Sequence, residues 1–279
     1  MSILSVEHLS HGFGDRAIFQ DVSFRLLKGE HIGLVGANGE GKSTFMNIIT
    51  GKLMPDEGKV EWAKNVNVGY LDQHTVLEKG MTIREVLKSA FGPLFEMEAN
   101  MNAICDRMGE ASEEEMNEMM EELGTIQDML TMHDFYIIDS KVEEVARALG
   151  LTAIGLDKDV TDLSGGQRTK ILLGKLLLEK PDILLLDEPF SALDYQTRLE
   201  VSDDIFRIIK EQEKTALLVT HDISEAIAMG EQVIVLSSRP AGIKNVFDIH
   251  LSVDKRTPFS SRTAPEFSAY FHQIWKELS

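Results

Sequence analysis

The sequence is poor in cysteine, tryptophan and proline, and it lacks any long hydrophobic run. Its single cysteine, Cys105, excludes an internal disulfide and is typical of a reducing compartment. No apolar segment approaches the about 20 residues that a membrane-spanning helix needs. The first residues, MSILSVEHLSHGF, have neither the basic end nor the apolar core of a signal peptide. We therefore expect a cytoplasmic protein.

Basic residues are few as well. Lys and Arg total 28 against 46 Asp and Glu, which gives a formal net charge of -18. This charge disfavours nonspecific nucleic-acid binding, so nucleic acid could bind only through a local basic patch. The acidic excess is concentrated between Glu96 and Asp128, where eleven acidic residues accompany one basic residue, Arg107. Methionines in the same stretch recur near helical spacing. They predict methionines that fill gaps in the core of a helical hairpin, and the alternative is an adaptable surface that binds a partner. Cys105 lies in the same segment and is expected to be half-buried.

A glycine-rich loop stands between a strand pattern and a helix pattern. The predicted strand His31–Val35 runs directly into GANGEGKS, residues 36–43, which has the form G-x-x-x-x-G-K-S, and a helical pattern follows from Thr44 to Ile49. Such glycines let backbone N–H groups surround phosphate oxygens at a helix N-terminus. Lys42 would supply charge to the terminal phosphates and Ser43 a hydroxyl ligand for Mg²⁺. A chance glycine-rich turn is the alternative, and the flanking strand and helix argue against it.

Two further strands are expected to end at the same edge. The apolar run Ile183–Leu186 predicts a strand buried on both faces, followed at once by Asp187 and Glu188. A second predicted strand, Ala216–Thr220, is followed by His221. Because open α/β sheets bind ligands at the carboxyl ends of their strands, these side chains should lie near the phosphate-binding loop. The alternatives are an acidic surface turn and a structural histidine.

The remaining pattern predicts an α/β protein with additional layers. Alternation from Ile3 to Phe24 around a Gly-rich turn predicts antiparallel strands, and a strand–turn–strand pattern covers Gly58 to Leu71. Helices are expected after Thr82, a plausible cap, and continue to about Leu149. The last segment, Ala264 to Leu278, has a helical pattern whose apolar side carries Phe267, Phe271, Ile274 and Trp275. It is expected to pack back on the domain.

With these motifs in order, the chain resembles an ATP-binding-cassette (ABC) ATPase domain over nearly its full length. Gly36 to Ser43 matches the Walker A loop, Gln73 the Q-loop and Asp187-Glu188 the Walker B motif with its catalytic acid. LSGGQ at residues 163–167 matches the signature, SALD at 191–194 the D-loop, and His221 the switch histidine. The resemblance implies a P-loop NTPase of ABC type, with a mostly parallel core sheet, an antiparallel β subdomain and a helical subdomain.

The resemblance also implies a division of the chain and a set of site residues. We expect one domain over 1–279, with a nucleotide-binding core at 1–73 and 161–250, a helical subdomain at 74–160 and a C-terminal extension at 251–279. Implied nucleotide contacts are Phe13 against adenine and Gly36, Asn38, Gly39, Gly41, Lys42, Ser43 and Thr44. Implied catalytic residues are Glu188, His221 and Gln73, with Ser43, Gln73 and Asp187 around the metal. Ser164, Gly165, Gly166 and Gln167 would act in trans across a homodimer, together with Asp194 of the D-loop.

Two branches of the family are resembled within one chain. Up to about residue 188 the sequence is similar to the ABC-F translation-factor class. The similarity lies in GANGEGKST, in the short interval between Lys42 and Gln73, and in the long insert before the signature. From about residue 189, VTHDISEAIAMGEQVIVLSSRPAGI is similar to importer ATPases of the nitrate, sulfonate and taurine type. The resemblance implies an ATPase that uses ATP and Mg²⁺. We expect a chimera acting as an importer subunit on a membrane permease at the inner face of the membrane. The alternatives are a ribosome-associated factor or a folded chimera without physiological coupling.

Overall fold

The structure is a computed structural model that describes residues 2–37, 39–72, 77–109 and 111–279. Its strands are β1 (Ser2–Phe13), β2 (Arg16–Leu27), β3 (His31–Val35), β4 (Glu57–Trp62), β5 (Val68–Asp72), β6 (Ile183–Asp187), β7 (Thr215–Thr220), β8 (Gln232–Leu236) and β9 (Ile243–Asp248). Its helices are α1 (Lys42–Ile49), α2 (Ile83–Lys88), α3 (Gly92–Met108), α4 (Glu113–Met132), α5 (Ile138–Ala148), α6 (Gly165–Leu178), α7 (Tyr195–Glu211), α8 (Ile223–Met229), α9 (Pro258–Ser261) and α10 (Phe267–Leu278). The chain forms two compact units, Met1–Val76 with Lys180–Ser279 and Leu77–Glu179.

The first unit contains a mostly parallel sheet with the order β5-β6-β7-β3-β8-β9 over the described residues. β5, β6, β7, β3 and β8 pair in parallel, and β9 pairs antiparallel with β8. Because β6 and β7 are covered on both faces, every residue of each is buried. The carboxyl ends of β6, β7 and β3 therefore lie side by side, as the sequence predicts.

A second, antiparallel sheet has the order β2-β1-β4 in the same part of the chain. The predicted strand–turn–strand at residues 58–71 is confirmed, and its two strands join different sheets, since β4 pairs with β1 and β5 with β6. Apolar side chains from both sheets and from α1 form one core that includes Phe19, Phe45 and Leu185. This core fixes the position of α1, and with it the loop before α1.

The C-terminal residues complete the first unit. β9, an edge strand whose residues are half-buried or exposed, is not predicted from the sequence. α10 packs back as predicted, because Ile274 is fully buried in a second core with α8 and β8, and Phe267 and Phe271 pack against that core. Trp275 does not follow the prediction, since it is 59% exposed and stacks on the Phe271 ring.

The second unit is helical. α2 begins with the predicted Thr82 cap, which forms a reciprocal capping box with Glu85. α3 and α4 pack as the predicted hairpin, but their buried side chains are Ile104 and Leu130. The methionines predicted as hairpin core are half-buried or exposed, namely Met97, Met101, Met116, Met119, Met120 and Met129. Cys105 is also exposed rather than half-buried, because the two-helix hairpin is too thin to enclose them.

Among the described residues, no helix is both long and apolar enough to span a membrane.

Gly58, in β4, allows a close approach of two strands. Its φ is 84°, and a Cβ there would lie 2.3 Å from the carbonyl oxygen of His8. Gly58→Ala should lower the free energy of unfolding by about 2–4 kcal/mol, because left-handed strain adds to a backbone clash. Gly14→Ala is the matched control, since Gly14 has a φ of 58° with open space at its Cβ, and it should cost about 1 kcal/mol. Urea unfolding followed by circular dichroism measures both, and equal losses would contradict the clash.

Candidate functional site

The glycine-rich loop joins β3 to α1 in the first unit. Gly41 lies at the N-cap of α1 with a φ of 98°, and a Cβ on it would lie 2.5 Å from Ile18 Cγ2 and 2.9 Å from the Phe19 ring. Only glycine fits this close packing in a left-handed conformation. The loop is thus held against β2 while α1 begins at Lys42 with its N–H groups directed toward the loop.

Lys42 is buried, with only 6% of the residue exposed. Its ammonium donates hydrogen bonds to the carbonyl oxygens of Gly36 at 3.0 Å and Ala37 at 3.2 Å, both in its own loop. A third oxygen, Glu188 Oε1, lies 3.3 Å away. Because a buried cation needs close oxygen partners, Glu188 supplies its countercharge.

Glu188 directly follows β6 in a left-handed conformation, with a φ of 46°. Its N–H donates to Val219 O of β7 at 2.8 Å, which extends the pairing of the two strands by one residue. The Glu188 carbonyl accepts from the N–H of Ser191 at 3.2 Å and from its hydroxyl at 2.9 Å. These bonds hold a backbone conformation that is unfavourable for glutamate, a feature often found at functional sites.

His221 follows β7 and completes a cluster. Its Nδ1 lies 2.8 Å from Glu188 Oε2, so the two carboxylate oxygens of Glu188 contact Lys42 and His221 respectively. The imidazole is 43% exposed, whereas the Lys42 side chain is buried. We refer to Lys42, Glu188 and His221 as the Lys–Glu–His cluster. The sequence predicted that these residues share one edge of the sheet, and the structure brings them into contact.

The remaining predicted residues of the first unit surround this cluster. Asp187 is buried at the end of β6 and accepts a hydrogen bond from the Tyr70 hydroxyl at 3.3 Å. Ser43 is exposed and Thr44 half-buried in the first turn of α1. Phe13, at the end of β1, is 54% exposed and meets the His11 ring edge to face at 4.9 Å. These positions offer an aromatic ring and hard oxygen donors.

Two of the predicted site residues, Asp194 and Ser164, cap long helices. Asp194 caps α7 by accepting from Thr197 N–H at 3.1 Å, and the hydrogen bonds from Thr197 lower the pKa of Asp194 below its usual value. In the second unit, Ser164 caps α6, and Gln167 Oε1 accepts a hydrogen bond from Ser164 N–H at 3.0 Å. LSGGQ is thus physically a capping box, with Ser164 and Gly165 exposed and Gly166 buried at the helix start. Such an exposed N-terminus favours an anion.

Two predicted site residues, Asn38 and Gln73, lie outside the described residues. Conversely, Arg198 and Glu225, which lie beside the loops of Asp194 and His221, are not predicted from the sequence. A local signal exists for each. Arg198 is four residues after Asp194 on α7, and Glu225 is a charged residue in the mostly apolar helix α8, where it is 4% exposed.

Comparisons with known proteins come from sequence and from structure. The sequence profile described as "ABC transporter" matches residues 19–191. A Bacillus subtilis ABC transporter ATP-binding protein, YfmM, is 69% identical over 223 residues, which cover 80% of this chain and 42% of YfmM. A second such protein from that organism, YtlC, is 33% identical over 289 residues, covering 100% of this chain and 96% of YtlC.

A translation-related protein matches less of the chain. The energy-dependent translational throttle protein EttA of Mycobacterium tuberculosis is 34% identical over 195 residues, covering 70% of this chain and 34% of EttA. The chain thus spans less than half of YfmM and of EttA. A solved structure of a metal-chelate-type ABC transporter in an inward-facing conformation aligns with a TM-score of 0.61 at 20% identity, over 89% of this chain and 84% of that chain. That likeness concerns the fold.

Glu225 provides a pH-dependent contribution to stability. Burial raises its pKa from 4.5 to about 7, partly offset by a hydrogen bond from Thr220. A raised pKa in the folded state means that this contribution is fully present below pH 4.5 and is lost as pH rises through about 7. Because of this group, the unfolding free energy of wild type should fall by on the order of 3 kcal/mol between pH 4.5 and 8. Glu225→Gln should abolish that fall. Urea unfolding across this range measures it, and parallel curves for variant and wild type would refute the assignment.

Proposed function

This chain belongs to the ABC transporter ATP-binding family, and we propose that it binds ATP at the glycine-rich loop and hydrolyses it to ADP and phosphate. The Lys–Glu–His cluster is the observation that carries the proposal. It places a cation for phosphate, a carboxylate and an imidazole on adjoining loops at one sheet edge. Phosphoryl transfer depends mainly on such positioning and charge.

Nucleotide binding would use the parts of the first unit that surround the loop. Phe13 would stack on adenine, and the backbone of Gly36, Gly39 and Gly41 with the start of α1 would surround the phosphates. Lys42 would keep its two bonds to loop carbonyls and exchange Glu188 for a phosphate oxygen. The exchange costs little, because one anionic oxygen replaces another around a buried ammonium.

Glu188 would then be available for chemistry. Released from Lys42, its carboxylate would accept a proton from the water that attacks the terminal phosphate, as a general base. His221 would donate to the phosphate and orient that water from its position 2.8 Å from Glu188. Ser43 and Asp187 supply the hard oxygen donors that fit Mg²⁺, and Gln73 is the third proposed ligand. Mg²⁺ bound there would neutralise phosphate charge.

A complete site would need a second copy of the chain. The exposed N-terminus of α6 offers N–H groups to an anion at Ser164–Gln167, and we assign it to the terminal phosphate of the partner's ATP. Asp194 of the D-loop would lie at the same interface. The proposed assembly is a two-fold homodimer that closes around nucleotide.

The proposed biological role is that of an importer ATPase subunit, held by a permease at the inner face of the membrane. The match with YtlC supports it, since it extends over the whole chain, whereas the YfmM match leaves a fifth of the chain uncovered. We propose nitrate, sulfonate or taurine-type substrates from the resemblance after residue 189. We also propose that the chain is a chimera with a joint near Glu188, because the sequence resembles one branch of the family before that residue and another branch after it.

A ribosome-associated role is the second candidate, because EttA, a translational throttle protein by name, matches 70% of the chain. The acidic stretch between Glu96 and Asp128 argues against it, since carboxylates repel RNA phosphates. A folded chimera that retains nucleotide binding without coupling is the third.

Nucleotide binding and turnover can be separated by two variants. Glu188→Gln should lose at least about 100-fold in kcat, as expected for a general base, while still binding ATP. With ATP and Mg²⁺ it should elute as a dimer in size-exclusion chromatography. Lys42→Ala should weaken ATP affinity measured by calorimetry, because phosphate loses its cation. Elution of Glu188→Gln as a monomer would rule out the nucleotide-dependent dimer, and unchanged affinity in Lys42→Ala would remove Lys42 from its role.

Ribosome association is tested by sedimentation. The Glu188→Gln variant, incubated with ATP and purified bacterial ribosomes, should stay in the supernatant because a net charge of -18 disfavours contact with RNA. Wild type without nucleotide is the control. Pelleting that requires ATP and saturates with ribosome concentration would favour the translation role over the importer role.

A further inference from the structure

Arg198 of α7 connects two loops that end at the candidate site. Its Nη2 donates to the carbonyl oxygen of Leu193 at 3.1 Å, next to Asp194 of the D-loop. Its Nη1 donates to Asp222 Oδ2 at 3.3 Å and lies 3.6 Å from Glu225 Oε1. One planar guanidinium therefore contacts the loop before α7 and the loop before α8 at the same time.

The second loop is held on both sides of His221. The Thr220 hydroxyl donates to Glu225 Oε2 at 2.7 Å and accepts from Asp222 N–H at 3.0 Å. Asp222 caps α8 by accepting from Ser224 N–H at 2.7 Å. Because its neighbours on either side are fixed to α8, His221 follows any movement of this small network. Glu225, 4% exposed, is the buried group that keeps the guanidinium in place.

We propose that Arg198 is a positioning residue that makes the loop carrying Asp194 and the loop carrying His221 move as one piece. The inference rests on the proposed function, in which Asp194 lies at a dimer interface and His221 acts on the terminal phosphate. Through Arg198, a displacement of the D-loop by the second copy is transmitted to His221 within the same chain. Dimer closure and alignment of the imidazole are thereby coupled.

The test must remove the link without leaving a buried charge unpaired. Arg198→Met alone strands Glu225, so the informative variant is Arg198→Met with Glu225→Gln, whose amide can still accept from Thr220. Arg198→Lys retains the charge without the planar fork and serves as a second, more conservative variant. Arg207→Met is the matched control, because Arg207 lies on the same helix and pairs with Asp204 at 3.0 Å but is 46% exposed.

Steady-state ATP hydrolysis at pH 8 gives the first readout. The double variant should lose about tenfold in kcat with KM for ATP changed less than twofold, because alignment rather than binding is affected. Arg198→Lys should lie between the double variant and wild type, and Arg207→Met should match wild type. Urea unfolding midpoints confirm that each variant is folded. An unchanged kcat in both Arg198 variants would overturn the proposal.

Hydrogen–deuterium exchange gives a readout that does not depend on turnover. The N–H groups of Ser191 and Leu193 report one loop and that of Ser224 the other, since all three are hydrogen-bonded. In the double variant, both loops should exchange at least tenfold faster, and in Arg207→Met neither should change. Acceleration in one loop alone would overturn the link. If wild type hydrolyses no ATP, the proposed function fails and the exchange data still decide the link.

Discussion

The first unit depends on one buried charge interaction, that between Lys42 and Glu188. The ammonium of the buried Lys42 needs close oxygen atoms, and two come from its own loop while the third comes from Glu188, directly after β6. Glu188 reaches it only because its backbone is left-handed and is bonded to β7. The loop, β6 and β7 are therefore fixed relative to one another by the same contact that organises the candidate chemistry.

The carboxylate of Glu188 serves both structure and the proposed reaction. It balances Lys42 with one oxygen and contacts His221 with the other, so a phosphate that takes over Lys42 also changes what Glu188 can do. The contacts of Arg198 form a second connection between the loop that follows β6 and the loop that follows β7. In the proposed mechanism, nucleotide binding and proton transfer therefore act on three side chains, Lys42, Glu188 and His221, that are already in contact.

The order of strands bears on the two family resemblances within the chain. β3, β5 and β6 come before residue 189, whereas β7, β8 and β9 come after it, and the sheet order β5-β6-β7-β3-β8-β9 interleaves the two sets. β3 pairs with β7 on one side and β8 on the other. The residues before and after 189 cannot form separate cores, because strands from one part pair directly with strands from the other. Any joint between them requires matching side-chain packing along the whole sheet.

The sequence by itself determined the parallel sheet, the antiparallel strands, the helical hairpin and the edge where the candidate site lies. It could do so because strand ends, glycine spacing and helix caps are local signals. Tertiary structure alone decided that Lys42 and His221 share one carboxylate and that Arg198 joins two loops. It also decided that Trp275, Cys105 and several methionines are exposed. Those outcomes depend on contacts between residues distant in sequence and on which neighbours cover a surface, and a local pattern specifies neither.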